Sequence, residues 1–345
     1  MPPDEPRIGA HLPLGAGMVR AADRAAEIGA TAIQVFADNP TAWRRRDAPP
    51  RALPAFRDAL AGHGIAPVVI HAAYLINLAG PARTFATRSR VVLEAELRAA
   101  PGYGARFVNV HTGSHRDTSL AAGIRRVARA LARTLEAVDD GPDAAMVVLE
   151  NSAGGGWAVG STIEELARIA DAAAKLGVPD HRLGFCLDTA HAWAAGVRLD
   201  EPREIDRFLE AFDRRIGLRR LVVVHFNDSK SGPGSHHDRH EHLGGGQIGE
   251  RGLGHLIRQP ALRHAAFIME TPGMDAGFDL VNVARARDLL EGRQLAPLPA
   301  AALQLRGSRS RGAEPATDEE EPHLAPGSTA PASAAPASAA SARTA

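Results

Sequence analysis

The sequence predicts an α/β fold, a TIM (β/α)8 barrel, on the basis of three observations. Six short apolar runs each end on a residue that can bind a metal, two further runs precede them, and segments of helical period separate the runs. Short runs rich in β-branched residues and bounded by Gly or Pro are typical of buried parallel strands. Eight such strands alternating with eight helices form a closed barrel whose strands all point their carboxyl ends to one face.

The predicted elements alternate regularly along the chain. The predicted strands are 7–11, 32–36, 68–71, 107–111, 146–150, 183–188, 221–225 and 267–270. The predicted helices are 17–29, 51–62, 84–99, 119–138, 162–176, 203–214, 250–258 and 277–291. Ser161 and Glu164 match a capping box at the start of the fifth helix, which places the glycine loop 154–156 on the face of the strand ends.

Length and composition favour one barrel with an appendage. The chain has 345 residues and is 45% hydrophobic, which is enough for a large core. We expect a barrel domain over residues 1–298 and a disordered Ala/Pro/Ser-rich tail over 299–345, where hydrophobic periodicity ends. Cys186 is the single cysteine, so an internal disulfide and a Cys-rich zinc site are excluded. We expect its thiol to be inert core.

The net charge and the amino-terminal sequence limit the cellular location and the binding partners that we expect. The formal net charge is +0 and the pI is about 7.3, so any nucleic-acid binding must come from local patches rather than from a global basic field. The amino terminus has no apolar signal segment, and no stretch approaches the length of a membrane span. We therefore expect a cytoplasmic protein that does not contact membranes.

The strand ends supply candidate metal ligands, and two short spacings add more. A carboxylate and an imidazole lie one helical turn apart at Asp188 and His191, and two residues apart at Asp238 and His240. The full set of candidate ligands is His71, His111, Glu150, Asp188, His191, His225, Asp238, His240 and Glu270. This number exceeds the needs of one ion, because zinc takes about four ligands. His236, His237 and His242 lie in a Gly-rich loop and are expected to face solvent, and His11 has no assigned role.

Six segments around the candidate ligands form motifs in a fixed order along the chain. They are 109–115 (NVHTGSH), 149–154 (LENSAG), 187–196 (LDTAHAWAAG), 225–229 (HFNDS), 238–244 (DRHEHLG) and 270–272 (ETP). These motifs resemble those of endonuclease IV, the zinc-dependent family of apurinic/apyrimidinic (AP) endonucleases. The resemblance extends from about Ile8 to Leu290. It implies three Zn²⁺ ions per chain at the carboxyl face of the barrel, with Mn²⁺ as a possible substitute.

The resemblance also implies how the ligands divide among the ions. One zinc would be held by His71, His111 and Glu150. A second would share Glu150 and also bind Asp188, His225 and Glu270. The third would be held by His191, Asp238 and His240.

The resemblance implies hydrolysis of the phosphodiester bond 5′ to an AP site in double-stranded DNA, giving a 3′-hydroxyl and a 5′ deoxyribose-phosphate. Removal of 3′-blocking groups in base excision repair is also expected. The catalytic residues would be Glu150 and Glu270, with Glu150 orienting the attacking water, and no protein nucleophile would be needed. A monomer is expected from the family.

The expected DNA contacts lie on two loops. Tyr74 and Leu75 match the residues that fill the gap left when the abasic nucleotide is flipped out of the stack. The loop after the second strand would contribute Asn39, Trp43, Arg44 and Arg45. Some family members carry an arginine where this chain has Thr41, so this loop matches the family pattern only in part.

Two other functions are compatible with the sequence. Sugar isomerases and epimerases share the barrel and use His and carboxylate metal sites, but they generally need one or two ions. The trio of His191, Asp238 and His240 argues against them. A zinc-stabilised protein that binds lesions without cutting would keep the Tyr74–Leu75 loop but lack open coordination positions.

Overall fold

A computed structural model describes residues 5–138 and 140–304, and it contains a closed barrel of eight parallel strands. The strands are β1 Arg7–His11, β2 Ala32–Val35, β3 Val68–His71, β4 Ala105–His111, β5 Met146–Glu150, β6 Leu183–Asp188, β7 Leu221–His225, β8 Asp228–Ser229, β9 His240–Glu241 and β10 Ala266–Met269. Strands β8 and β9 form a separate antiparallel pair. The predicted TIM barrel is therefore confirmed, with the last barrel strand at β10.

Helices follow the barrel strands on the outside, as the sequence predicts. They are α1 Met18–Glu27, α2 Leu53–Gly62, α3 Arg83–Tyr103, α4 Leu120–Glu136, α5 Ile163–Ala174, α6 Thr189–Ala194, α7 Pro202–Arg215, α8 Gly249–Ile257, α9 Asp279–Leu290 and α10 Ala300–Leu303. Two of these, α6 and α10, do not correspond to any predicted helix. Helix α6 begins directly after β6, so it carries His191 at the mouth of the barrel.

The register of the barrel strands determines which residues at their carboxyl ends lie side by side. Strand β1 closes the barrel by pairing with β2 on one side and with β10 on the other. His11 pairs with Gln34 across β1 and β2, and His111 pairs with Glu150 across β4 and β5. His225 pairs with Asp188 of β6. Because every barrel pair is parallel, these polar end residues face one mouth.

The β1–β2 pair depends on a close approach of two backbones. A Cβ atom on Gly9 would lie 2.1 Å from the carbonyl oxygen of Ala32. A side chain cannot be accommodated at that distance without moving the backbone. Gly9 therefore allows β2 to lie close enough to β1 to bring Gln34 into the barrel mouth.

The start of α5 differs by one residue from the expectation. Thr162 is the cap, and its side chain accepts a hydrogen bond from the Glu165 backbone N–H at 3.2 Å. The Glu165 carboxylate reaches back and accepts from the Gly160 backbone N–H at 2.7 Å. The predicted Ser161–Glu164 capping box is therefore wrong by one position, since the Thr162–Glu165 pair has the same spacing and makes the capping contacts.

The carboxyl end of the chain is described only as far as Gln304. Within the segment assigned to the tail, residues 300–303 form the short helix α10, and Ala302 is buried. Residues 305–345 of the predicted tail lie outside the described residues. In the part of the chain that is described, no helix combines the length and the apolar character needed to cross a membrane.

Candidate metal centre

The mouth of the barrel brings all nine candidate ligands into one pocket. Six of them end a barrel strand or directly follow one, and these are His71, His111, Glu150, Asp188, His225 and Glu270. His191 lies in the first turn of α6, three residues after Asp188. His240 opens β9, and Asp238 lies just before it. The order of the elements thus places residues from distant parts of the chain side by side.

Glu150 lies between two histidines from neighbouring strands. Its Oε2 atom is 3.7 Å from Nε2 of His71 and 3.6 Å from Nε2 of His111. The Asn109 amide donates to the same oxygen at 2.6 Å and fixes the carboxylate. One ligand atom from each of His71, His111 and Glu150 lies within 4.8 Å of the others, which is close enough for a shared ion.

His225 lies at the centre of a second group. Its Nδ1 atom is 3.3 Å from Oε1 of Glu150, 3.4 Å from Oε2 of Glu270 and 3.9 Å from Oδ2 of Asp188. Asn227 orients two of these groups, because its amide donates to Asp188 at 2.8 Å and its oxygen accepts from the Glu270 backbone N–H at 2.8 Å. Glu150 contacts both groups through its two oxygens.

The third group lies between α6 and β9. Ligand atoms of Asp188, His191 and His240 lie within 4.8 Å of one another. The Asp238 carboxylate spans the two imidazoles, with Oδ2 3.1 Å from Nε2 of His191 and Oδ1 3.1 Å from Nε2 of His240. The four side chains therefore converge even though Asp238 and His240 come from a loop beyond β8.

Several buried polar atoms in this pocket have no hydrogen-bond partner among the described residues. They are Oε1 of Glu150, Nδ1 of His225, Nε2 of His240 and both carboxylate oxygens of Asp238. Leaving such atoms unpaired in a buried site costs free energy, and bound cations would remove that cost. Imidazole and carboxylate groups are ligands that zinc accepts. The side chains present therefore fit a cluster of divalent cations.

Neighbouring carboxylates raise the pKa values of some histidines of this pocket. Burial opposes protonation of His191, but the carboxylates of Asp188 and Asp238 outweigh it and hold its pKa well above the ordinary value. Burial is opposed in the same way at His240, where Asp238 and Asp188 raise the pKa to about 10. Burial instead lowers the pKa of His111 to about 4. The pocket thus favours bound positive charge next to its carboxylates.

Gln34 and His11 also belong to the pocket, although sequence reasoning did not place them there. The Gln34 side chain is buried and its amide nitrogen donates to Oε1 of Glu270 at 2.6 Å. His11 lies beside it, with Nδ1 3.0 Å from the Gln34 amide nitrogen and 3.4 Å from Oε1 of Glu270. An apolar run ending on His11 was the available signal. Gln34 gave none, because glutamine is not a usual metal ligand.

Cys186 lies next to the ligands without being exposed. Its sulfur is within 4.8 Å of ligand atoms of Glu150 and His225. Burial raises the pKa of the thiol to about 12, so it stays protonated at neutral pH. This agrees with the expectation of an inert core cysteine.

Asp228 organises the glycine-rich loop that follows Asp238 and His240. Its buried carboxylate accepts hydrogen bonds from backbone N–H groups on both sides of the glycines, at Ser229, Gly244, Gly246, Ile248 and Gly249. The antiparallel pairing of Asp228 with Glu241 then joins this loop to β9. Through these contacts Asp228 supports the segment that carries His240.

One histidine of this loop is placed differently from the expectation. His236 and His237 are exposed, but His242 is fully buried, so its expected solvent exposure is wrong. The reason is a long-range contact, because the Asn282 side-chain amide lies 2.9 Å from Nδ1 of His242. His236 is also held, with its backbone N–H donating to the Ala194 carbonyl at 3.0 Å.

The loop between β2 and α2 places its two arginines in different surroundings. Arg44 is 85% exposed, and among the described residues its guanidinium pairs with Asp47 alone, at 3.1 Å. Arg45 is 12% exposed, and its guanidinium lies 3.3 Å from Glu96 of α3. It also donates to the backbone carbonyls of Asn39 and Ala42. Arg45 therefore anchors the loop to α3, whereas Arg44 extends into solvent.

The remaining predicted DNA contacts lie near the mouth. Tyr74 and Leu75 are partly exposed after β3, and the Tyr74 ring centroid lies 5.6 Å from that of His71. Asn39 is exposed, and its side-chain oxygen accepts from the Thr41 backbone N–H at 3.0 Å. Trp43 is half-buried and packs edge-on against Phe85, with ring centroids 5.5 Å apart.

Comparison with known proteins is consistent with this architecture. A family model described as xylose isomerase-like TIM barrel matches residues 22–295. A crystal structure of a D-tagatose 3-epimerase-like protein has a TM-score of 0.59 at 16% identity, covering 83% of this chain and 98% of that one, and so shares the fold. The fold and the clustered ligands define a TIM barrel of the xylose isomerase-like class with a candidate metal centre.

More similar proteins narrow the class. Probable endonuclease 4 of Methanoculleus marisnigri is 40% identical over 82% of this chain and 98% of its own length. Probable endonuclease 4 of Halorhodospira halophila is 40% identical over 79% of this chain and 90% of its length. The structure of endonuclease IV from Thermus thermophilus has a TM-score of 0.71 at 38% identity, covering 83% of this chain and 100% of that one. The chain belongs to the endonuclease IV family, as its motifs predict.

Proposed function

We propose that this protein is an AP endonuclease that hydrolyses the phosphodiester bond on the 5′ side of an abasic site in double-stranded DNA. Water adds to phosphorus and the bond to the 3′ oxygen breaks, leaving a 3′-hydroxyl and a 5′ deoxyribose-phosphate. Removal of 3′-blocking groups requires the same hydrolysis at a strand end. The observation that carries the proposal is the convergence of the nine candidate ligands in a chain of this family.

Three Zn²⁺ ions are the proposed cofactors, with Mn²⁺ as a possible substitute. We assign the ligands as one set of His71, His111 and Glu150, one set of Glu150, Asp188, His225 and Glu270, and one set of His191, Asp238 and His240. When bound, such ions neutralise phosphate oxygens and lower the pKa of a water molecule. The unpaired buried atoms of the pocket support this assignment, because cations would satisfy them.

The protein's own groups position the reactants. Glu150 lies at the centre of the pocket, with Asn109 fixing Oε2 and with Oε1 3.3 Å from Nδ1 of His225, so its carboxylate faces the space in which a water molecule would be oriented. Glu270 faces the same space from β10, where Gln34 fixes its Oε1 atom. The one buried thiol, at Cys186, stays protonated and offers no nucleophile. We therefore assign Glu150 and Glu270 as the catalytic carboxylates.

Lesion recognition is assigned to the rim of the pocket. Tyr74 packs between the Phe36 ring, at 5.1 Å, and the His71 ring, which brings it directly beside the candidate ligands. Its partly exposed ring and the adjacent Leu75 could fill the space left by a flipped nucleotide. Extrusion is favourable at an abasic site because base pairing is already absent.

The β2–α2 loop is assigned to contacts with the DNA backbone. Asn39 and Arg44 are exposed and Trp43 is half-buried, so all three can meet a duplex. Phosphate contacts by Arg44 would add to affinity without reading sequence. We assign Arg45 to holding this loop, since Glu96 and two backbone carbonyls already occupy its guanidinium.

A sugar isomerase or epimerase is the alternative that the fold permits. The third ligand group argues against it, because His191, Asp238 and His240 would be unnecessary for a site with one or two ions. The epimerase-like relatives support only the shared barrel at their level of identity. The predicted monomeric state and cytoplasmic location are retained as parts of this proposal.

The deciding experiment incubates zinc-loaded protein with a duplex that contains one tetrahydrofuran site. We expect a single nick on the 5′ side of the site in the wild type, and strong loss of nicking in Glu270→Gln. The undamaged duplex of the same sequence is the control and should stay intact. A duplex ending in a 3′-phosphate tests the 3′-repair activity in the same assay.

Each other outcome identifies a different function. Binding to the lesion without nicking would favour a non-catalytic lesion-binding protein. Conversion of a ketose without any nicking would favour the isomerase. Elemental analysis should give about three zinc ions per chain, and a value near one would contradict the third ligand group.

A further inference from the structure

Gln34 lies at the end of β2 and is the polar centre of a contact that joins three other strands. It is fully buried, and its neighbours along β2 are apolar. Its side chain reaches His11 of β1, His225 of β7 and Glu270 after β10. Glutamine is neutral and does not usually bind zinc, so its place among candidate ligands calls for another role.

The amide uses both of its ends on these neighbours. Its oxygen lies 2.9 Å from Nε2 of His225. Its nitrogen donates to Oε1 of Glu270 at 2.6 Å and lies 3.0 Å from Nδ1 of His11. An amide nitrogen has two hydrogens, so one can go to each of these acceptors.

The chemistry of Glu270 decides which way the amide points. An ionised carboxylate can only accept hydrogen bonds, so the NH2 end of Gln34 must face it. The amide oxygen then faces His225 and can only accept, which requires the hydrogen of that imidazole to be on Nε2. The other ring nitrogen, Nδ1, is left with a free lone pair when the ring is neutral.

That free nitrogen is the one directed into the pocket. Nδ1 of His225 is buried, has no hydrogen-bond partner among the described residues, and lies within 3.4 Å of carboxylate oxygens of Glu150 and Glu270. Oε2 of Glu270 faces it because Oε1 is held by Gln34. One neutral side chain thus sets the direction of two candidate ligands.

Three other histidines among the candidate ligands are fixed by the backbone instead. Nδ1 of His71, His191 and His240 lies 2.7 Å, 2.9 Å and 2.9 Å from a backbone carbonyl oxygen, respectively. These three rings therefore present Nε2 to the pocket. His225 presents Nδ1 instead and relies on a side chain, which makes its orientation open to a single substitution.

We propose that Gln34 is a positioning residue of the second cation subsite: it holds His225 in the Nε2–H tautomer with Nδ1 facing the pocket, and it holds the Glu270 carboxylate beside it. The inference rests on the metal site of the proposed function. It assigns to β2 a part in the site although β2 contributes no ligand. Partners of metal ligands typically change metal affinity by about 10- to 100-fold when they are lost.

The test compares two variants that break different contacts. Gln34→Met keeps the length of the side chain but makes no hydrogen bond to either neighbour. Gln34→Glu keeps an acceptor for Nε2–H of His225 and replaces the amide donor to Glu270 with a second carboxyl group, so the two carboxyl groups repel each other or share one proton. Thr134→Val is the control for removing a buried polar atom, since Thr134 is fully buried on α4 outside the pocket.

Two readouts that do not depend on activity are measured on the full chain. Zinc affinity is measured by competition with a chromophoric chelator. The protonated and metal-bound ring nitrogens of His225 are identified from long-range 1H–15N spectra of the zinc-loaded protein, assigned with a His225→Asn variant. A spectrum with Nε2–H and metal on Nδ1 is expected for the wild type and for Gln34→Glu.

We expect Gln34→Met to weaken binding of one zinc by about 10- to 100-fold and to broaden or split the His225 signals. Thr134→Val should keep both readouts at wild-type values. Unchanged affinity for every zinc in Gln34→Met would overturn the inference, as would metal on Nε2 of His225 in the wild type. Absence of zinc from the wild type would remove the metal site itself, a failure of the proposed function that is distinct from these two results.

Discussion

The pocket at the strand ends and the loop between β2 and α2 obtain their shape in different ways. In the pocket, six of the nine candidate ligands are buried, and several are fixed by a hydrogen bond, as Glu150 is by Asn109 and Glu270 is by Gln34. The loop is largely exposed, and it is held to α3 by the half-buried Arg45, which pairs with Glu96, and by Trp43, which packs on Phe85. The pocket is therefore expected to respond to almost any substitution, whereas the loop is expected to respond mainly at its anchor.

The strongest test of this contrast is Glu150→Gln. This change replaces a buried anion that contacts His71, His111 and His225 with a neutral amide of the same shape. Metal ions supply several kcal/mol of transition-state stabilisation, so we expect at least about a 10³-fold loss of nicking. Initial rates on the tetrahydrofuran duplex measure it.

A matched exposed glutamate is the control for that experiment. Glu164 is 61% exposed and pairs with Arg215 on the surface, so Glu164→Gln should nick at the wild-type rate. Equal rates for Glu150→Gln and the wild type would contradict the central position of Glu150.

Removal of metal tests the pocket as a source of stability. Without cations, the carboxylates and unpaired atoms of the pocket are left buried at a cost, so a chelator should destabilise the fold. Each ion present at 100 times its Kd contributes about 2.7 kcal/mol. Thermal unfolding with and without chelator should show a clear fall in Tm that zinc restores, and an unchanged Tm would argue against occupied sites.

Arg45→Met tests the anchor of the loop. The change removes the cation beside the buried Glu96 carboxyl group, which must then stay ionised without it or take up a proton, and we expect a cost of about 2–4 kcal/mol of unfolding free energy. Denaturant unfolding measures this cost. Arg44→Met, next to it in the chain, should change the unfolding free energy by less than about 0.5 kcal/mol because Arg44 is exposed.

The pairing of Glu96 with Arg45 also makes the stability of the protein depend on pH. Burial raises its pKa to about 7 from 4.5, although Arg45 opposes the rise. Because the folded-state pKa is the higher one, the stability that Glu96 contributes is full below pH 4.5 and is lost as pH rises to about 7. Arg45→Met should raise this pKa further, which 13C NMR titration of the carboxyl carbon would detect. A fall in the pKa would mean that Arg45 is not its main cation.

The smallest expected effect is that of Arg44 on DNA affinity. If Arg44 contacts one phosphate, Arg44→Met should lower the slope of log affinity against log salt by about one, equally for all sequences. Fluorescence anisotropy at several salt concentrations measures the slope. An unchanged slope would place the phosphate contacts elsewhere on the rim.

The barrel and the nine candidate ligands could be predicted because they follow local patterns. Apolar runs such as 221–225 end on a residue type that can bind a metal, and the carboxyl ends of parallel strands lie at one face of a barrel. Gln34 could not be found in this way, since its role comes from His225 and Glu270, which are far away in sequence.

Long-range contacts also explain the expectations that were wrong or incomplete. His242 is buried because Asn282, forty residues further on, lies against it. The pairing of Arg45 with Glu96 joins residues that are fifty-one positions apart, and no local pattern distinguishes Arg45 from Arg44. The cap of α5 differs for a local reason, since the spacing of a capping box fits both Ser161 and Thr162 and does not distinguish them.

The glycine-rich loop before α8 has the composition of a phosphate-binding loop, but its donors are already in use. The Asp228 carboxylate accepts from the N–H groups of Gly244, Gly246 and Gly249, and from Ile248 at the N-terminus of α8. An anion supplied by the protein thus occupies the position that a phosphate would otherwise take. This loop therefore serves as internal scaffolding, and under the proposed function the DNA backbone would contact other groups at the mouth.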